Sequence, residues 1–559
     1  MKIAFLSNFT IDFVVKEFSK KLKDILVESE TYVSGYNQYP QEILGENNSF
    51  YNFNPELVFF SIDLEYLIND IIDHQFDNSE KGILTDIENR FQQFLNLVSK
   101  LRAKLSKAQI FIDNFYLSTD YFFKTLEGNS PFSLRSVPAK LNLQLEEYAT
   151  RNNGIRIIDI SSLFQKYGEK ELVDPRLNYI AKSKFSRSGT EKLSKLYLSH
   201  VKAYKGLRKK VIVLDLDNTL WGGILGEDDV ENIILSNDGP GKAFYDFQRE
   251  LLKLYKQGIL LAICSKNTEE TALDAIKNHP YMVLRPNHFA AIKINWENKA
   301  QNIKSIAAEL NLGIDSFVLI DDSPFERGLI KDQLPEVETP ELPDDPMYFV
   351  EFLKGLDFFN FRSLTEDDLN RNKNYEVEKL RKKHREIFTD TTSYLKSLQM
   401  QVDIRRMDDF SFPRVVQLIQ KTNQFNLTSR RYSESEIKEF AGDSHYQILQ
   451  MNVKDRFGDY GIVAVSILTF YDSKLYIDSF LMSCRVLGRE LETVLLSYIT
   501  KLAEGKNIQY IEGEIIPTAK NEPCRKLYAK NGFREIKNNY WELNLMQNKI
   551  KVPEFIELL

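Results

Sequence analysis

The sequence predicts a multidomain α/β protein, with two blocks of parallel-sheet structure followed by an α+β region. Three observations predict it. Strand and helix patterns alternate from the first residues to about position 360, the rhythm of βαβ units. Two very apolar strands, Val211–Leu214 and Phe317–Ile320, each end in a pair of carboxylates. From about position 400 the pattern shifts to alternating strands with few helices, which suits a largely antiparallel sheet.

In chain order, Lys2–Leu6, Leu57–Ile62, Gln109–Asp113 and Ile155–Ile160 read as buried strands, with helical patterns at Ile83–Leu105 and Leu141–Arg151. They make a first domain of residues 1–205. Val211–Leu214, Ile259–Ile263 and Ser316–Ile320 are the strands of a second, 206–362. Residues 363–400 form a charged linker with helical spacing, opened by the capping-box-like Thr365-Glu-Asp-Asp368. In 401–559 the strands are Tyr446–Val453, Gly461–Thr469, Leu475–Phe480, Tyr510–Glu514 and Tyr540–Leu545, with helices at Glu490–Leu502 and Glu522–Lys530.

Composition narrows the class. The chain has 559 residues, 43% of them hydrophobic and 27% charged, as in soluble globular proteins. A net charge of −7 argues against non-specific nucleic-acid binding. The three cysteines, Cys264, Cys484 and Cys524, are widely spaced without a CxxC pair, so neither a disulfide framework nor a zinc site is expected, and a reducing cytoplasm fits. The first residues carry too short an apolar run for a signal peptide, and no stretch approaches the ~20 apolar residues of a membrane span.

The chemistry concentrates after Val211-Ile-Val-Leu-Asp215-Leu-Asp217-Asn218-Thr219. Carboxylates at the carboxyl end of a parallel strand point into the crevice where ligands bind, and paired carboxylates suit Mg²⁺ with a phosphate. Asp321-Asp322 repeats the arrangement. Between them lie Cys264-Ser265-Lys266-Asn267, at a strand end, and Lys299, which opens a helical pattern; Lys293 is the alternative lysine. Order, residue type and strand context together resemble the four motifs of the haloacid dehalogenase (HAD) superfamily. That resemblance implies a HAD-like Rossmannoid core with Asp215 as nucleophile and metal ligand. Asp217 would be the acid/base, offering its backbone carbonyl to the metal. Asp321 and Asp322 would be further ligands of Mg²⁺, and Ser265 and Lys299 the phosphoryl-binding groups. The intervals between these motifs leave no room for a large cap, so an open site is expected, covered only by a flap at Trp221-Gly222-Gly223.

The longer strings Asp215-Leu-Asp-Asn-Thr-Leu-Trp-Gly-Gly-Ile-Leu-Gly-Glu227, Asn295-Trp-Glu-Asn-Lys299, Asp321-Asp-Ser-Pro-Phe-Glu-Arg327, Lys421-Thr-Asn-Gln-Phe-Asn426 and Ser483-Cys-Arg-Val-Leu-Gly-Arg489 resemble the FkbH-like family over nearly the whole chain. The resemblance implies polyketide-type biosynthesis. Such enzymes dephosphorylate 1,3-bisphosphoglycerate and load its glyceryl unit as a thioester onto the phosphopantetheine of an acyl carrier protein. Cys264, beside Ser265, offers a thiol for an enzyme-bound acyl intermediate. Strand alternation opposes this, since Ser265 and Cys264 should face opposite ways unless the strand has ended. Cys484 is a second candidate.

Residues 401–559 resemble the GNAT acyltransferase fold. Cys484-Arg485-Val-Leu-Gly488-Arg489-Glu490 resembles its pyrophosphate-binding loop, giving Arg485, Gly488 and Arg489 as cofactor-binding candidates, but Glu490 stands where Gly or Ala is expected. Tyr528 matches the position of a GNAT acid. Docking without chemistry is the alternative for this domain. The first domain resembles an SGNH-hydrolase-like sheet with Ser7 at the nucleophile position; His74 and His200 lie in no Asp-x-x-His motif, so its hydrolase site is read as degenerate. Two further functions stay open for the whole chain: a phosphatase of a small phosphorylated acid or sugar without acyl transfer, and a non-catalytic scaffold.

Overall fold

The structure, a computed structural model, describes all residues except 47, 74–79, 119–133, 226–231, 361–370, 472 and 519–520. Glu227, the Thr365–Asp368 box and His74 therefore lie outside the described residues. The chain divides into two units, Met1–Lys202 and Ala203–Leu559.

The first unit is built on β1 (Lys2–Ser7), β2 (Glu30–Val33), β3 (Leu57–Ser61), β4 (Gln109–Asp113) and β5 (Ile155–Ile158), all parallel in the order β2-β1-β3-β4-β5. This is a doubly wound order, with its switch point between β1 and β3. β1, β3 and β4 are buried on both faces, which is why they read as nearly unbroken apolar runs. Phe5, Phe59 and Phe111 stack across the three strands at 5.1 Å centroid spacings. β2 was not foreseen: it is a half-exposed edge strand, Glu-Thr-Tyr-Val, without a buried strand's apolar signal.

The second unit holds two sheets. β6 (Val211–Leu214), β7 (Leu260–Ser265), β8 (Phe289–Ile294) and β9 (Phe317–Ile320) form a parallel sheet in the order β8-β7-β6-β9. β8 carries no clear strand signal in the sequence because Lys293 interrupts its apolar pattern. Helix Arg371–Arg385 links the sheets. At its first turn the Asn372 amide donates to the Tyr255 and Ile259 carbonyls of the first sheet's layer. Farther along, buried Arg381 makes a two-pronged ion pair with Asp455 of the second sheet, at 2.7 and 2.8 Å.

That second sheet is mixed, ordered β15-β16-β14-β13-β12-β11-β10-β17. Its strands are β10 (Met400–Arg406), β11 (Tyr446–Asp455), β12 (Gly458–Phe470), β13 (Lys474–Met482), β14 (Tyr510–Glu514), β15 (Arg534–Lys537), β16 (Tyr540–Asn544) and β17 (Ile556–Leu558). β13 and β14 are parallel neighbours joined through helix Leu491–Glu504. The expected helix Glu522–Lys530 is two short turns, Glu522–Cys524 and Leu527–Lys530. Among the described residues no helix is long and apolar enough to cross a membrane.

Candidate active site

The register of the parallel sheet builds the site. β6 and β9 pair Leu214 with Ile320, so Asp215 and Asp321 leave the sheet side by side; the Asp215 N–H donates to the Ile320 carbonyl at 3.1 Å. One oxygen from each of Asp215, Asp321 and Asp322 lies within 4.8 Å of the others. Lys299 is the first residue of helix Lys299–Leu310, which Asn298 caps by accepting the Ala300 N–H. Its Nζ donates to Asp321 Oδ2 at 2.6 Å and sits 3.1 Å from Asp215 Oδ2.

Burial and like charge set the electrostatics. Burial, then the neighbouring Asp215 charge, pushes Asp321 up to about 6. The same two causes raise Asp322. Burial alone would lower Lys299, but the carboxylates of Asp215 and Asp321 outweigh it and hold the ammonium charged. One lysine does not satisfy three carboxylates. Asp215 Oδ1 is buried with no hydrogen-bond partner, an arrangement that costs stability unless something fills it. An all-oxygen, carboxylate-rich donor set with an unsatisfied buried oxygen fits a hard divalent cation such as Mg²⁺.

Asp217 is held separately. Its Oδ1 accepts from the Trp221 indole at 3.0 Å and the Leu225 N–H at 3.2 Å, and its Oδ2 accepts from the Asn267 amide at 3.0 Å. Burial raises its pKa, so it is well suited to carry a proton. The carboxylate is thus turned to these donors, and Asp217 stands outside the cluster of Asp215, Asp321 and Asp322. Arg327 Nη1 donates to the Asp321 and Asp322 carbonyls, both at 2.7 Å, fixing the loop. Lys266 pairs with buried Glu326 at 2.6 Å.

Sequence reasoning missed Trp221, Asn267, Lys266 and Arg327 as partners, although all lie inside the quoted motifs. Trp221 is not in a flap: it is fully buried in the core, because its indole N–H has a partner in Asp217. Lys293 pairs with Glu309 at 3.3 Å and takes no part in the cluster. Ser265 ends β7, nearly fully buried.

Cys264 is not an accessible thiol. It packs with Val211, Val213, Leu260 and Ala262 beside helix Lys299–Leu310, with its Sγ toward the Lys299 carbonyl at 3.8 Å. Burial pushes it up to about 12. The strand continues through Ser265, so alternation turns Cys264 into the core, and the expected acyl-thioester role does not fit its place.

In the second sheet, Arg489 is turned inward. It contacts the Tyr460 hydroxyl and pairs with Glu378 at 3.4 Å and Asp455 at 3.7 Å, so it does not fit the pyrophosphate-binding role expected of it. Gly488 adopts φ 77°, and Cys484, Arg485 and the nearly buried Arg489 border an open cleft of about 1460 Å³. Tyr528 is fully buried, its hydroxyl packed on Gly513 where a Cβ would collide with it. In the first unit, Ser7 Oγ accepts only a local N–H, that of Phe9, among the bonds described. His200 is half-buried, edge-on to Phe111, with its pKa lowered to about 4, chiefly by desolvation. Buried Asp63 pairs with Lys184.

A parallel sheet with carboxylates at two adjacent strand ends and a lysine at a third element is the arrangement of a HAD-type phosphatase core. The profile described as "FkbH, N-terminal domain" matches residues 2–191. The crystal structure of the N-terminal part of BF1531 from Bacteroides fragilis, "containing phosphatase domain complexed with Mg", is 30% identical. It overlaps 65% of this chain and 94% of that one, with a TM-score of 0.59. The chain belongs to the FkbH-like family. The Escherichia coli ribosomal-protein-S18-alanine N-acetyltransferase overlaps 25% of this chain and 89% of that one, at 14% identity and a TM-score of 0.21. A GNAT-family acetyltransferase from Staphylococcus aureus overlaps 26% and 99%, at 16% identity and 0.21. No curated protein matches the chain.

Proposed function

We propose that the protein is a Mg²⁺-dependent HAD-type glyceryltransferase and phosphatase. Its substrate would be 1,3-bisphosphoglycerate or a similar small acyl phosphate, and its acceptor the phosphopantetheine thiol of an acyl carrier protein. The observation that carries the phosphoryl chemistry is the convergence of Asp215, Asp321 and Asp322 around Lys299, with Asp215 Oδ1 buried and unpartnered. Membership of the family supports the glyceryl and carrier parts, and so does the absence of a large cap between the motifs.

Asp215, Asp321, Asp322 and the Asp217 carbonyl would hold the ion, which when bound supplies charge neutralisation for the phosphoryl oxygens. The chain's own groups do the rest. Asp215 attacks phosphorus of the phosphate ester and displaces the alkoxide, which takes its proton from Asp217; Asp217 then takes a proton from the water that hydrolyses the aspartyl phosphate. Lys299 and Ser265 hold the phosphoryl oxygens. At the acyl phosphate, the carrier thiolate attacks the acyl carbon, a C–S bond forms, and the C–O bond to phosphate breaks. The burial of Cys264 favours this direct attack over an enzyme-bound thioester.

Intact-protein mass spectrometry tests the reading. Enzyme, Mg²⁺, 1,3-bisphosphoglycerate generated in situ and a panel of phosphopantetheinylated carriers should yield a glyceryl-sized mass gain on a carrier. Phosphate release without a mass gain on any carrier favours the second reading, a phosphatase without acyl transfer, for which the inaccessibility of Cys264 also speaks.

A further inference from the structure

We infer that the GNAT-like region is closed to coenzyme A and its acyl thioesters, because the chain's own segment Phe425–Leu427 occupies the cleft in which a pantetheine would pair with the sheet. β13 and β14 stay paired only as far as Ile477 and Gly513 and then diverge. Beyond that point the Phe480 carbonyl and the Met482 N–H face the opening gap. Two such groups on a free strand edge are what the amides of an extended pantetheine arm would pair with, by strand addition.

Here both are taken. The Leu427 N–H donates to the Phe480 carbonyl at 3.1 Å, and the Met482 N–H donates to the Phe425 carbonyl at 2.9 Å. Asn426 forms an antiparallel bridge with Leu481. The far side is closed as well: the Ile516 N–H donates to the Leu427 carbonyl at 2.8 Å, so the segment spans the gap as an inserted strand. It is locked by side chains. Asn426 and Asn521 are fully buried; Asn521 Nδ2 donates to the Asn426 carbonyl at 3.0 Å and the Ile516 carbonyl at 2.9 Å, while Asn426 Oδ1 accepts the Ser429 N–H at 2.9 Å. A ligand entering would have to break these bonds and expose Phe425 and Leu427, both nearly fully buried.

The loop that would hold a pyrophosphate is also unsuited to it. Glu490 is the N-cap of helix Leu491–Glu504 in a left-handed conformation, φ 61°, and Glu492 lies in the first turn with Oε2 buried and unpartnered. That helix end is already supplied with negative charge. The nearby cation Arg489 is committed to Glu378, Asp455 and Tyr460. Tyr528, which a GNAT acid would aim at a thioester, is sealed in the core.

Hydrogen exchange read by mass spectrometry on the full chain tests this, with acetyl-CoA at millimolar concentration as probe. Peptides covering 425–427 and 480–482 should exchange slowly without ligand, and peptides 425–427 and 480–492 should be unchanged by it. Rapid exchange of 425–427 in the free protein overturns the inference, because the cleft then opens. A ligand-induced change in 480–492 overturns it too. Asn426→Ala supplies the complementary arm: exchange at 480–482 should rise at least tenfold, and an unchanged rate would remove the segment's role. Phosphate release at the Asp215 site is measured separately, so failure here is distinguishable from failure of the proposed function.

Discussion

The carboxyl end of β6 and the gap between β13 and β14 occupy similar places in their sheets, yet they are finished in opposite ways. At β6 three carboxylates crowd one lysine and an oxygen of Asp215 is left buried without a donor. At β13 the open strand edge is paired on both sides by residues 425–427, and the amides of Asn426 and Asn521 complete the seal. The first is a destabilised arrangement that a cation would relieve; in the second, the backbone groups that an extended ligand would pair with are already bonded within the chain. Unmet polar demand among carboxylates, more than fold, marks the candidate phosphatase site.

The largest effect that would break this contrast is at Asp215. Asp215→Asn should lower phosphate release at least ~10³-fold, while the metal-free melting temperature holds or rises because a like charge beside Asp321 is gone. Retained activity would remove Asp215 from the chemistry. Next is Lys299→Met. It strands two carboxylates and should cost about 3–5 kcal/mol in denaturant titration without metal. Mg²⁺ should recover more stability in this variant than in the parent, and chelation should abolish that recovery.

A smaller test lies in the second sheet. Burial raises the Glu492 pKa above its ordinary value of 4.5, so the folded state holds the proton more tightly than the unfolded chain. Stability from this group is therefore greatest at low pH and falls as pH rises past 4.5. Glu492→Gln should gain about 1 kcal/mol at neutral pH, a gain that fades towards pH 4.5; thermal unfolding across pH measures it. The smallest expected effect is Cys264→Ala, which should leave phosphate release and carrier loading within about threefold of the parent. Loss of loading alone, with phosphate release intact, would restore the thiol to the mechanism.

The phosphatase core was legible because its strands are buried on both faces and end in charge: Val211–Leu214 and Phe317–Ile320 announce themselves, and Asp215, Asp217, Asp321 and Lys299 follow in the expected places. Whether Cys264 or Ser265 faced the site turned on how far β7 extends, which one residue of pattern does not determine. Trp221 looked like a surface flap because its neighbours are glycines, while its actual partner is a carboxylate four residues back. The Phe425–Leu427 insertion was illegible for a different reason. It is a long-range pairing made by three residues with no turn signal to mark them, and only the folded sheet brings Phe480 to Leu427. Arg489 was misread on the same ground, since its partners Glu378, Asp455 and Tyr460 come from other elements.

The linking helix Arg371–Arg385 carries a mechanical consequence. Asn372 is pinned to carbonyls of the phosphatase layer, and Arg381 is pinned to Asp455 of the second sheet. At a rise of about 1.5 Å per residue the two pins stand roughly 13 Å apart on one rigid rod. The rod acts as a strut: the phosphatase core and the second sheet cannot hinge here without bending a helix or pulling a charged fork out of its socket, so a protein gripping either body feels the other as a single lever.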